Sequence, residues 1–196
     1  MDKETQNQLA EQFVDLLRST GRSGIEELIL YLQEETDFFT APASTKYHGA
    51  YEGGLLQHSM NVYEVLRYDP DGSFSFSDSI IIVALLHDIC KANCYHTEKR
   101  DVKENGVWVE KLVYVFDDEF PLGHGEKSLY LASKFIELSD EEAAAIRWHM
   151  GAFDNAFRGG DRGLNAAYEK YPLAVMLHLA DMRATYLVER SDSHDR

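Results

Sequence analysis

Basic residues are scarce in this chain. Nineteen Lys and Arg stand against 34 Asp and Glu, a formal net charge of −15. Phosphate neutralisation dominates binding to duplex DNA, so no duplex DNA partner is expected. A small phosphorylated ligand is not excluded, because a local cluster of Arg, Lys and metal can hold phosphate inside an acidic protein. Cysteine is nearly absent. Cys90 and Cys94 fit a reducing compartment and lack the C-x-x-C spacing of zinc or redox motifs; they read as two buried or half-buried thiols. No apolar stretch reaches the ~20 residues of a membrane span. The opening Met1-Asp2-Lys3-Glu4-Thr5-Gln6 has no apolar signal core. A cytoplasmic protein with no membrane partner is the expectation.

What is present suits one domain spanning residues 1–196, because 44% of the residues are hydrophobic, enough for a real core. No internal repeat, low-complexity tract or interdomain linker is visible. Helical periodicity dominates, and the expected fold class is all-α with one inserted hairpin. Leu9, Phe13, Leu16 and Leu17 stripe a helix over 3–18, and Ile25, Leu28, Ile29 and Leu32 stripe a second. Thr20-Gly21-Arg22-Ser23-Gly24 separates them, and residues 1–44 form N-terminal helices packing on a core at 45–190. A long loop runs from Thr40 to Gly54, followed by a helix from about Leu55 to Tyr68 that ends in Asp69-Pro70-Asp71-Gly72. Ser77 or Asp78 caps an apolar helix reaching His87. Asn105-Gly106 signals a type I′ turn, and Val107, Val109, Val113, Tyr114, Val115 and Phe116 favour a strand, so a hairpin is expected at about 98–116. Helices follow at about 124–137, 140–150 and 172–190. Ser139 or Asp140 caps the second, with Glu142 near the capping-box position. Gly151 to Gly163 reads as a loop.

The most informative feature closes the run Ile80-Ile81-Ile82-Val83-Ala84-Leu85-Leu86: the pair His87-Asp88. A core helix gains nothing by ending in an imidazole and a carboxylate, whereas a metal site does. His58, His124 and His149 recur in similar settings, and Asp181 sits on an apolar helix, where a carboxylate is costly unless paired or metal-bound. A satisfied core histidine explains any one of these. Six positions together would each need a separate excuse.

In order, these positions resemble the HD-domain family of metal-dependent phosphohydrolases. Gly53-Gly54-Leu55-Leu56-Gln57-His58-Ser59 is similar to the family's first metal-histidine helix. Leu85-Leu86-His87-Asp88-Ile89-Cys90-Lys91 resembles its signature. Phe120-Pro121-Leu122-Gly123-His124-Gly125, Arg147-Trp148-His149-Met150 and Leu179-Ala180-Asp181 match later segments, and the likeness covers roughly residues 45–190. The resemblance implies an HD-type helical bundle in which His58, His87, Asp88 and Asp181 bind one ion. Asp88 would bridge to a second, completed by His124 and His149. Some dinuclear members carry two adjacent histidines where this chain has His149-Met150. One or two divalent ions are implied. Mixed imidazole and carboxylate ligation favours Mn, Fe, Co, Ni or Zn over Mg.

The implied chemistry is attack of metal-activated water on a phosphomonoester or phosphodiester of a nucleotide or short oligonucleotide. Beside Asp88, Lys91 is the family's phosphate contact. His48 is a candidate substrate contact or proton donor, Arg147, Arg158 and Arg162 are candidate phosphate clamps, and His178 is a candidate support for Asp181. The Gly-Gly helix start and later histidine segments are similar to HD domains of 3′–5′ exoribonucleases. Read as a stand-alone domain of this charge, the chain suits a small nucleotide or short single strand better than long RNA. Two alternatives stay open: a non-catalytic HD-fold binding module, and a di-iron oxygen-activating enzyme of related fold.

Overall fold

The computed structural model describes residues 1–68, 77–104 and 106–190. The turn at Asp69-Pro70-Asp71-Gly72 and residue Asn105 lie outside them. Helix α1 (Lys3–Ser19) opens at Asp2, whose carboxylate accepts the Thr5 N–H at 2.9 Å, and buries Phe13, Val14 and Leu17. Gly24, in the left-handed region at φ 84°, starts α2 (Ile25–Glu34), whose buried face is Ile25, Leu28, Ile29 and Leu32. Two more helices, α3 (Gly54–Leu66) and α4 (Ser77–Leu86), complete the centre.

Every residue of α4 from Ile80 to Leu86 is buried. A helix apolar on all sides belongs in the interior, and α4 divides two cores. Ile81, Ile82, Leu85 and Leu86 join Phe13, Leu28 and Leu55 in a cluster built with α1, α2 and α3. Ile80, Val83 and Ala84 join Ala145, Ile146, Leu173 and Leu177 in a second. Each large side chain of this kind contributes about 1.5–3 kcal/mol by leaving water. Because the central helix ends at Leu86, the next two residues, His87 and Asp88, are delivered to the middle of the molecule.

The hairpin pairs β1 (Tyr95–Glu104) with β2 (Val107–Phe116), antiparallel, with Tyr95 opposite Phe116. It starts three residues before the expected 98. The Asp117 N–H bonds the Cys94 carbonyl at 2.9 Å, and the Tyr95 and Phe116 rings meet edge-on at 5.4 Å, which extends the ladder. At the tip Gly106 has φ 85°.

After the hairpin come α5 (His124–Ser133), α6 (Asp140–Trp148), the short α7 (Asn155–Arg158), α8 (Gly163–Lys170) and α9 (Pro172–Arg183). The first of these stops short of 137 because the Lys134 and Phe135 N–H groups turn to carbonyls three residues back, tightening the chain into a turn. Ser139 and Glu142 form the capping box of α6. The Glu142 carboxylate also takes the Ser79 hydroxyl at 2.6 Å and the Arg22 guanidinium, joining the starts of α2, α4 and α6. Residues 151–163 hold more structure than a loop, since Asp154 caps α7 through the Ala156 and Phe157 N–H groups. The expected helix over 172–190 is α9 followed by a π-helical turn, Ala184–Val188. No helix among the described residues is long and apolar enough to cross a membrane.

Candidate metal centre

Four helix ends meet beneath a cavity of about 250 Å³, lined among others by His48, Asp88, Lys91, His124, Met150 and Asp181. Close backbone approach brings them together. A Cβ on Gly54 would sit 1.9 Å from the Gly49 carbonyl oxygen, and one on Gly125 would sit 2.1 Å from the Arg147 carbonyl oxygen. Only glycine lets α5, with His124, seat this deeply against α6, and lets the loop carrying His48 and Gly49 fold back onto the start of α3 ahead of His58.

Asp88 lies at the centre, 2% exposed. Its two oxygens face different histidines. Oδ2 is 3.6 Å from His58 Nε2 and 3.5 Å from His87 Nε2. Oδ1 is 2.7 Å from His124 Nε2 and 3.5 Å from His149 Nε2. Asp181 Oδ1 approaches His58 Nε2 at 3.2 Å, and ligand atoms of Asp181, His87 and His149 converge within 4.8 Å. The structure therefore gathers all six sequence-predicted ligands.

Their outer nitrogens are held too. His87 Nδ1 contacts the Ala84 carbonyl at 2.8 Å and His149 Nδ1 the Ile146 carbonyl at 2.7 Å, each three residues back. A carbonyl only accepts, so both Nδ1 atoms carry a proton, and in the neutral ring both Nε2 atoms present lone pairs inward. His149 Nε2 is buried and has no hydrogen-bond partner among the described residues. An orphaned buried nitrogen is costly, and an imidazole lone pair is a good transition-metal ligand. The donor set thus fits a divalent transition-metal ion.

The electrostatics follow from burial and neighbours. Burial opposes charge on His58, but Asp181 and Glu189 on either side outweigh it and push the imidazole up to about 10. An ion at Nε2 would take the place of that proton. His87 is held down to about 4 by burial, only partly offset by Asp88. Burial would raise the Asp88 carboxyl, but Lys91, His87 and His124 hold it well below the usual carboxylate range.

Lys91 Nζ sits 2.7 Å from Asp88 Oδ2, and burial of this ammonium is outweighed by Asp88, so it keeps its charge. His48 lies over His58 with ring centres 4.9 Å apart; burial, reinforced by the His58 charge, lowers it to about 4. His178 Nδ1 contacts the His149 carbonyl at 2.7 Å, so it braces the turn after α6 rather than Asp181. The three arginines are not brought to the cluster. Arg147 binds Asp154 at 2.9 Å and Glu126 at 2.5 Å and stacks on Trp148, which clamps α5 and α6 to the next segment. Arg158 is exposed, 5.9 Å from the Phe153 ring centre, and Arg162 is exposed ahead of α8.

Sequence reasoning missed two neighbours of the ligands. Cys90 Sγ lies 3.4 Å from His124 Nδ1, and burial pushes its thiol up to about 12. Glu189 contacts His58 Nδ1. An available signal for Glu189 was a lone carboxylate just after the apolar stretch Tyr186-Leu187-Val188, eight residues beyond Asp181.

A helical bundle with a small hairpin, centred on a buried His/Asp cluster, defines a class of helical protein whose centre could hold a metal. The chain belongs to the HD domain family, whose model matches residues 55–185. This family is in general one of metal-dependent phosphohydrolases. No curated protein and no solved structure matches the chain.

Proposed function

We propose that this protein hydrolyses a phosphomonoester or phosphodiester of a nucleotide or short oligonucleotide. One observation carries the reading: the Asp88 carboxylate divides four imidazoles into two pairs, one on each oxygen, with the Lys91 ammonium alongside. This arrangement suits a pair of ions sharing one carboxylate. A bound divalent ion would supply Lewis-acid charge for the phosphoryl oxygens and a water of lowered pKa. The chain's own groups would do the rest. Lys91, at the cavity floor, would hold a phosphoryl oxygen by charge. His48, neutral near pH 7, could pass a proton to a leaving oxygen only after taking one up, which favours a positioning contact for it. Met150, Phe153, Met182 and Tyr186 give the cavity an apolar and aromatic wall, which suits the planar base of a nucleotide.

The test is metal analysis of protein purified without a chelating tag. It is followed by assay of aryl phosphate monoesters and diesters, mononucleotides and short single strands with the metal restored. We expect bound transition metal and turnover that Asp88→Asn abolishes. Metal-replete protein that cleaves none of these substrates would refute the reading, and iron-dependent oxygen consumption would replace it with the oxygenase alternative.

A further inference from the structure

Three of the four central histidines have their outer nitrogen met within a few residues or on a neighbouring turn. His87 and His149 use carbonyls of the helices they directly follow, and His124 has the Cys90 thiol. His58 differs. It lies mid-way along α3, and its Nδ1 is met from 131 residues away by both oxygens of Glu189, at 3.0 and 3.2 Å. The carboxylate is fixed in turn by the Asn61 amide, which donates to Oε1 at 2.9 Å from one helical turn along α3. The Glu189 side chain is only 8% exposed.

The backbone that places Glu189 is unusual. Between α9 and Glu189 the chain takes a π-helical turn, Ala184–Val188, and the Glu189 N–H bonds the Ala184 carbonyl five residues back at 2.9 Å. Such turns are uncommon and cluster at functional sites. The extra residue in the turn alters the direction in which position 189 leaves the helix, here toward α3. Asp181, on the same helix, reaches the other nitrogen of the same ring at 3.2 Å. One C-terminal segment thus grips His58 at both Nδ1 and Nε2. Residue 189 also lies past the end of the family match at 185.

An imidazole offers Nε2 to an ion only when its proton sits on Nδ1 or is lost. A carboxylate at Nδ1 holds that tautomer, fixes the ring plane and makes Nε2 more basic. We propose that Glu189 is a positioning residue for the ion on the Asp88 Oδ2 side: it orients His58 through Nδ1 and ties ion affinity to docking of the C-terminal turn. The proposal rests on His58 being a metal ligand.

The test uses the full chain stripped of metal and titrated calorimetrically with Mn²⁺ and with Zn²⁺. Glu189→Ala should weaken one ion by about 10- to 100-fold. Glu189→Gln, whose amide oxygen still accepts the Nδ1 proton, should recover part of that loss, and Asn61→Ala should show a smaller loss. Glu64→Ala, an exposed charge deletion on the same helix, should change nothing. Nitrogen NMR of the His58 ring should report the Nδ1-protonated tautomer in the zinc-loaded wild type and a shift or broadening in Glu189→Ala. If wild type binds the ion and Glu189→Ala binds it equally tightly, the inference fails and the metal reading stands. If wild type binds no ion, both fall. Should Glu189→Ala not fold, Glu189→Met, of similar volume but without a carboxylate, decides: affinity within twofold of wild type together with an unchanged ring signal overturns the proposal.

Discussion

Gly125→Ala tests whether helix packing sets the geometry of the metal centre. A Cβ at this position would lie 2.1 Å from the Arg147 carbonyl oxygen, 2.8 Å from its carbon and 3.0 Å from the Ile146 carbonyl oxygen. These are backbone atoms of α6, so no side chain can swing aside. Restoring an ordinary contact requires α5 and α6 to part by about 1.3 Å. Arg147 resists this, because it grips Glu126 on α5 and Asp154 beyond α6. The residue before Gly125 is His124, which reaches Asp88 Oδ1 at 2.7 Å, and the carbonyl behind His149 Nδ1 is that of Ile146. Overpacking of this kind costs about 1–3 kcal/mol, which for a chain of this size lowers Tm by roughly 2–12 °C. Displacement of about 1 Å at a reacting centre costs about 100-fold in rate. The assay measures Tm, bound metal per chain and turnover of an aryl phosphate. Gly159→Ala, at φ −75° with its nearest contacts at 3.3 Å, is the control. If the proposed two-ion reading holds, the Gly125 variant should lose an ion on the His124 and His149 side before the other, and about two orders of magnitude of any aryl phosphate turnover. Unchanged Tm with turnover and metal content within twofold of wild type would refute the reasoning.

Two further perturbations separate stability from chemistry. Glu142→Ala removes a buried carboxylate that takes Arg22, the Ser79 hydroxyl and the Ser139 N–H, and should cost about 2–4 kcal/mol in urea unfolding at pH 7. Burial would raise the Glu142 carboxyl, but Arg22 and Ser79 hold it below its ordinary value; its contribution is therefore present above the unfolded-state value and lost as pH falls through the folded one. The gap between wild type and variant should narrow below about pH 4, and a gap constant from pH 7 to pH 3 would contradict this. Lys91→Met removes the ammonium 2.7 Å from Asp88 and should reduce kcat/KM about 100-fold or more; a loss under threefold would take Lys91 out of the phosphate contact.

Much of the architecture was legible because helices write their burial into local periodicity. The stripe Ile25, Leu28, Ile29 and Leu32 is the buried face of α2, and Ser139 with Glu142 is the capping box of α6. The unbroken run from Ile80 to Leu86 marked the central helix, and the polar pair after it marked where that helix ends. Boundaries were less legible. Whether residues 151–163 coil or fold depends on Asp154 finding backbone N–H groups as well as Arg147, and α8 carries too few apolar residues to announce itself.

The sequence alone determined which side chains could ligate and that they occur at the ends or buried faces of helices, because residue type and spacing are local properties. Only the tertiary structure decided which oxygen of Asp88 faces which histidine, that Arg147 clamps helices away from the cavity, and that Glu189 stands behind His58. Those pairings join residues 36, 61 and 131 positions apart. No local period encodes such distances. They are set by how closely the helices can approach, which here turns on the missing Cβ of Gly125 between α5 and α6 and on one π-helical turn.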